Sequence, residues 1–206
     1  MEDIIIKKFR EWTDGLGAVD SRISIFEHIR DIPYAIIAEL RDPYTGPCRM
    51  LELNKGSCVP KHFLLAKAFK MLNIPIKYVS YLFKWDDPLI QYPPELRSLV
   101  KKMPLSAHLA CKARIDGKLV LVDATWDLPL MKFSYPVNKS WDGFSDTRNA
   151  VTPISEVIHE ILDDRIEYSS KLRSAYTKEE AAVYAEFSGK LNAWLDSARS
   201  PKEEQP

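Results

Sequence analysis

The chain has 206 residues, 46% of them hydrophobic, which suffices for a substantial core and fits one domain better than two. Its 29 basic and 29 acidic residues cancel, so no global charge argues for a nucleic-acid or anionic-membrane partner. Three cysteines, Cys48, Cys58 and Cys111, lack the tight spacing of a secreted disulfide scaffold, and a reducing, cytoplasmic setting is expected.

The first apolar run, Ile4 to Ile6, follows two acids and precedes Lys7 and Lys8, a pattern of neither a signal peptide nor a membrane span. Residues 1–40 read as a helical segment, with IFEHIRDIPYAIIAEL forming one or two amphipathic helices interrupted at Pro33. From 41 to 54, turn residues and two prolines predict an irregular approach. The rest of the chain is organised around the stretch GSCVPKHFLLAKAFKMLNIPIKYV, residues 56–79. Ser57 is positioned as an N-cap and Pro60 is tolerated in a first turn, so Cys58 falls at the start of a nearly all-round apolar helix that ends at Asn73 and Pro75. The positive end of that helix favours thiolate over thiol.

IKYVSYLF at 76–83 predicts a strand. Residues 84–104 hold four prolines and predict a surface excursion with one short helix at Glu95 to Lys101. LSAHLACKARI, Asp116-Gly117 and KLVLVDATW then form a hairpin signal, because Asp-Gly tolerates the positive φ angles of a two-residue turn. With Ile115 and Lys118 flanking the turn, Ala110 opposes Asp123 and His108 opposes Thr125, which makes His108 and Asp123 diagonal neighbours on one face. Leu109, Cys111, Ala113, Ile115, Val120, Val122, Ala124 and Trp126 form the other, apolar face. Asp127 has the parity of Asp123 and stays open as a second partner for His108. Residues 127–152 read as a long loop, the segment from Ser155 as helical, Lys178 to Ala198 as a firm helix, and 201–206 as a disordered tail.

A cysteine at a helix start, a histidine on a strand and an acid within its reach are the parts of an acyl-transfer site: nucleophile, general base and acid, and orienter. GSC before an apolar helix and NIPIKYV, with HLACKARIDGKLVLVDATWD after them, resemble the cysteine, histidine and aspartate motifs of the transglutaminase-like family, over roughly residues 45–130. The resemblance implies an α+β, papain-like core at 41–135, with the active-site helix packed on an antiparallel sheet and the 136–200 loop and helices packed on that core. It also implies Cys58 as nucleophile, His108 as base and acid, and Asp123 rather than Asp127 as orienter. Asn73, Leu109 with Ala110, and Ala124 depart from the family's usual residues without touching these three.

The expected reaction is hydrolysis of an amide or peptide bond through an acyl-thioester, on a peptide, protein or small amide. The alternatives are a transglutaminase or N-acyltransferase using an amine acceptor, and a non-catalytic binding module on the same fold. The Cys58 amide is one oxyanion donor, with Asn54 and Tyr44 as candidates for the second. His28, His62 and His159 read as surface or packing residues, and Trp85, Trp126, Trp141 and Tyr92 as core or loop anchors with a possible place in a cleft. A zinc site from Cys58, His62, His108 and Cys111 is disfavoured, because residues three apart on a strand point to opposite faces. No cofactor, metal, phosphate-binding loop or nucleic-acid platform is expected.

Overall fold

The computed structural model describes residues 2–199; the expected tail at 201–206 lies outside them. Seven α-helices and four strands follow in the order α1 (Glu2–Thr13), α2 (Ala18–Asp31), α3 (Gly46–Leu53), α4 (Cys58–Met71), β1 (Ile76–Phe83), α5 (Pro94–Val100), β2 (Ser106–Ile115), β3 (Lys118–Val122), β4 (Ser155–His159), α6 (Leu162–Ser174) and α7 (Lys178–Arg199), with 3-10 turns at Ala38–Arg41 and Leu128–Phe133. The strands form one antiparallel sheet in the order β3-β2-β1-β4, an α+β architecture. Among the described residues, no helix is long and apolar enough to cross a membrane.

Helix α4 is the centre of the molecule. It packs on β2 on one side and against α2 and α3 on the other. Phe63, Leu64, Leu65, Ala66, Ala68 and Phe69 are all buried, and each large one contributes roughly 1.5–3 kcal/mol of apolar transfer free energy. The core beneath α4 joins Leu64, Leu65 and Phe69 to Phe26 and Ile29 of α2 and to Cys111 and Val122 of the hairpin. A second core joins Tyr34, Trp85, Leu96 and Trp126 to Phe187, Leu191 and Leu195 of α7.

The hairpin has the derived register: Ile115 faces Lys118 and Cys111 faces Val122. Asp116 and Gly117 both adopt positive φ, 48° and 79°, as a primed two-residue turn requires.

Three expectations are overturned. Helix α3 occupies the segment read as irregular: Pro47 sits at its first turn, where a missing amide costs nothing, and Asn54 closes it in the left-handed conformation at φ 49°. The chain after Pro33 is extended through Ile37 before its 3-10 turn, where helix was expected. Gly56 N–H donates to the Pro33 carbonyl and Ala35 N–H to the Gly56 carbonyl, which pins this extended run beside the start of α4. Finally, the segment from Ser155 begins with edge strand β4, paired to β1 from Tyr78↔His159 to Leu82↔Ser155, and only then becomes helical.

Candidate active site

Cys58 is the first residue of α4, after Ser57 in extended conformation. Ser57 makes no capping bond with its side chain, so the first-turn amides of the helix keep their capacity to face a negative charge. The glycine before Ser57 is required by space, since a Cβ on Gly56 would lie 2.7 Å from Cγ of Met50.

The structure brings the three anticipated side chains together. The His108 ring lines one cavity with Cys58, and the two groups feel each other's charge. Its Nε2 lies 2.7 Å from Oδ2 of Asp123, which leaves Nδ1 for the sulfur. Asp123 is itself fixed: Thr125 Oγ1 donates to its Oδ1 at 2.6 Å and the Ala150 amide to its Oδ2 at 2.8 Å. Tyr81, on neighbouring β1, stacks on the His108 ring at 6.3 Å between centroids. Asp127 is not the orienter. It accepts from the Tyr34 amide at 2.8 Å and from Arg199 at 2.7 and 2.8 Å.

All three groups are buried, so their charges are set by one another. Burial pushes the Cys58 thiol up, but the His108 charge and hydrogen bond, the Leu109 amide and the Arg165 charge outweigh it, and the thiol ends below its ordinary range. Burial pulls His108 down, while Asp123 and the Cys58 thiolate more than reverse this and hold the imidazole up to about 10. Burial raises Asp123, yet His108 first, then His62 and Thr125, bring it down to about 2. The three shifts act in one direction: each group favours the charged form of its neighbour.

His62, expected to be a surface or packing residue, is instead wholly buried and belongs to the site's frame. Its Nδ1 lies 2.8 Å from the Cys58 carbonyl, and its Nε2 accepts from the Ala124 amide at 3.1 Å and sits 3.5 Å from Asp123 Oδ1. That pattern assigns the neutral Nδ1–H tautomer, and burial brings its pKa to about 4. Lys61 is also wholly buried, and its Nζ donates to the carbonyls of Arg30 and Thr125 at 2.9 and 2.8 Å, tying α4 to both neighbouring segments. Burial pulls its pKa to about 7. Both residues lie on a helix whose apolar neighbours mask them, and the i, i+4 spacing of Cys58 and His62 was the one available signal.

His159 is buried with Nε2 at 2.9 Å from Ser80 Oγ, and His28 pairs with the Ser24 carbonyl. Cys111 turns toward α4, its sulfur 3.4 Å from the His62 carbonyl. Among the described residues no group of three or more His, Cys, Asp or Glu side chains is arranged to hold a metal ion.

Cys58 and His108 open onto a cavity of about 620 Å³, within the range of small-molecule sites. Its walls come from the extended run at Tyr34 and Ile36, from Trp85 and Trp126, and from α6 and α7. Trp141 instead packs on Phe26 and Phe69 in the core, and Tyr92 is buried against Tyr135 and Trp194. Asn54 and Tyr44 are exposed and do not line the cavity, so neither is placed as an oxyanion donor. Tyr34 lines the cavity with Cys58, and burial followed by the Cys58 charge raises its hydroxyl well above the ordinary range, which keeps its proton in place.

No protein-family model and no curated protein matches the chain. Solved structures similar to it include the following two. One, described as a "Putative Cysteine Protease from Cytophaga hutchinsonii", is 20% identical over 63% of this chain and 39% of its own, with a TM-score of 0.40. The other, a TGase, is 14% identical over 82% of this chain and 43% of its own, with a TM-score of 0.45. This chain spans about two fifths of the length of each.

Proposed function

We propose that the protein is a thiol-dependent acyl-transfer enzyme that cleaves an amide or peptide bond through an acyl-thioester on Cys58. The observation that carries this reading is Cys58 at the start of α4 lining one cavity with His108, whose ring is hydrogen-bonded to buried Asp123. Of the three cysteines, Cys58 alone lines that space.

In the first half-reaction the Cys58 thiolate attacks the carbonyl carbon. A C–S bond forms and the C=O π pair moves to oxygen, where the Cys58 amide and the Tyr34 hydroxyl stand as donors. On collapse the C–N bond breaks, and the departing amine takes the proton from His108 Nδ1. In the second half, water attacks the thioester as neutral His108 accepts its proton, and collapse frees the carboxylic acid and returns thiolate and imidazolium. Asp123 holds the ring and offsets its charge throughout. Water is the acceptor in this reading.

The test is to expose the protein to activated esters and thioesters and to follow intact mass and peptide maps. Acylation at Cys58, absent in Cys58→Ala and faster than at Cys48 or Cys111, with release to water, is the expected result. Release that requires an added amine would move the assignment to transglutamination or N-acyl transfer. Equal, slow labelling of all three cysteines would sink the enzyme reading in favour of a binding module.

A further inference from the structure

Beyond the reacting groups, the cavity lining from α6 and the 3-10 turn carries charge that the chemistry leaves unexplained. Arg165 of α6 lines the cavity at 3% exposure, and its Nε has no hydrogen-bond partner. Burial lowers its pKa to about 10, and the Cys58 thiolate is the foremost charge that counters this. Arg173, further along the same helix and exposed, and half-buried Arg41 line the same space. These charges sense one another: Arg173 opposes Arg165, and Arg41 opposes Arg173.

Among the described residues none of the three forms an ion pair with a carboxylate. Arg41 instead stacks on the Tyr184 ring at 5.5 Å. The one carboxylate lining the cavity, Glu39, is exposed. A buried guanidinium with a bare Nε is costly unless something negative meets it. Thiolate, imidazolium and the Asp123 carboxylate together carry one negative charge, which Arg165 offsets, and Glu39 offsets one of Arg41 and Arg173, so the lining carries one positive charge in excess.

We propose that Arg165, with Arg173 and Arg41, forms an anion subsite beside Cys58, and that the acyl donor carries a carboxylate seated there. This rests on the acyl-transfer reading and narrows it to acidic peptides or carboxylate-bearing amides. Guanidinium groups bind carboxylates through paired, charge-assisted hydrogen bonds, which supplies orientation as well as attraction.

The test compares alkylation of Cys58 by iodoacetate and by iodoacetamide, mapped by mass spectrometry, against a free cysteine peptide. The two reagents share one thiolate, so the ratio of their rates cancels thiolate fraction and reads the carboxylate alone. The expected ratio exceeds that of the free peptide by about tenfold or more and falls by about fivefold or more in Arg165→Gln and in Arg173→Gln. The His108 imidazolium also attracts iodoacetate, but its share survives both substitutions, so the fall belongs to the arginines. In the wild type, succinate should slow iodoacetamide labelling more than succinamide does, a comparison that needs no variant to fold.

Rapid labelling by iodoacetamide without a raised iodoacetate ratio, or a ratio that neither arginine moves, overturns the subsite and leaves the nucleophile standing. Labelling of Cys58 by iodoacetamide no faster than of Cys48 and Cys111 overturns the nucleophile, and the subsite falls with it.

Discussion

Nε2 of His108 lies 2.7 Å from Oδ2 of Asp123, and that bond fixes which edge of the imidazole meets the Cys58 sulfur. His108→Ala removes the largest influence that opposes burial at Cys58. The thiol then returns to its ordinary range or above, and alkylation at mildly acidic pH falls about 100-fold or more. Asp123→Asn keeps the shape and removes the counter-charge, so turnover of an ester substrate falls on the order of 10³–10⁴-fold. A Cys58 pH profile that is identical in all three proteins would refute the coupling.

The same pair predicts a stability signature. His108 is raised above its unfolded value of about 6.5, so its contribution is complete below that pH and is lost as pH rises through about 10. Asp123 is depressed to about 2, so its contribution is present above about 3.9 and is lost as pH falls through about 2. The depressed Cys58 thiol works in the opposite direction and offsets this loss, so urea unfolding of Cys58→Ala, in which Asp123 still raises His108, should show a steeper alkaline loss above about pH 6.5 than the wild type.

His62 gives the opposite sign on the acid side. Its Nε2 accepts from the Ala124 amide only when unprotonated, and its folded pKa is about 4. Between that value and about 6.5 the unfolded chain binds the extra proton, so stability falls as pH drops through this window, by about 2–4 kcal/mol in all. His62→Phe removes the titration at the expense of two hydrogen bonds. The variant should be less stable at neutral pH yet flatter between about pH 6.5 and 4, and a slope equal to that of the wild type would refute the assigned tautomer.

Much of this site was legible because one dipeptide sets it. Asp116-Gly117 fixes the hairpin register, and the register makes His108 and Asp123 neighbours. The cysteine's place at a helix start was ambiguous by itself, and the histidine and aspartate motifs singled it out. The features that stayed hidden depend on tertiary placement. Strand β4 is five residues long, mostly unburied and paired along one edge only, so it carries no alternation to read. Helix α3 begins with Gly-Pro, which reads as a turn until the first-turn role of proline is granted. His62 and Lys61 look like polar interruptions of an apolar helix and prove to be its hydrogen-bonded anchors. Arg165 lies in a helix rich in charge, where nothing local marks the one arginine that turns inward.

Tyr34 has a separable role. Its hydroxyl is predicted to serve the oxyanion and not the thiolate equilibrium, so Tyr34→Phe should lower the acylation rate of an ester substrate by about 10- to 100-fold. Its Cys58 alkylation profile should keep the wild-type midpoint. A shift of that midpoint with no loss of acylation would assign Tyr34 to the thiolate instead.

Asp127 is the control for the whole arrangement, because hairpin parity places it as plausibly as Asp123. In the folded chain it holds a different set of partners, accepting the Tyr34 amide and the Arg199 guanidinium, which itself donates to the Tyr34 carbonyl at 3.1 Å. The carboxylate thereby clamps the end of α7 to the extended run that walls the cavity. Asp127→Ala leaves the Tyr34 amide without its acceptor and Arg199 without this counter-charge, and breaking a buried pair of this kind costs about 3–5 kcal/mol. The melting temperature should drop by several degrees or more, while the midpoint of Cys58 alkylation should match the wild type, because His108 keeps Asp123. If Asp127→Ala instead raises the Cys58 midpoint as far as Asp123→Asn does, the acid that orients His108 in solution is Asp127.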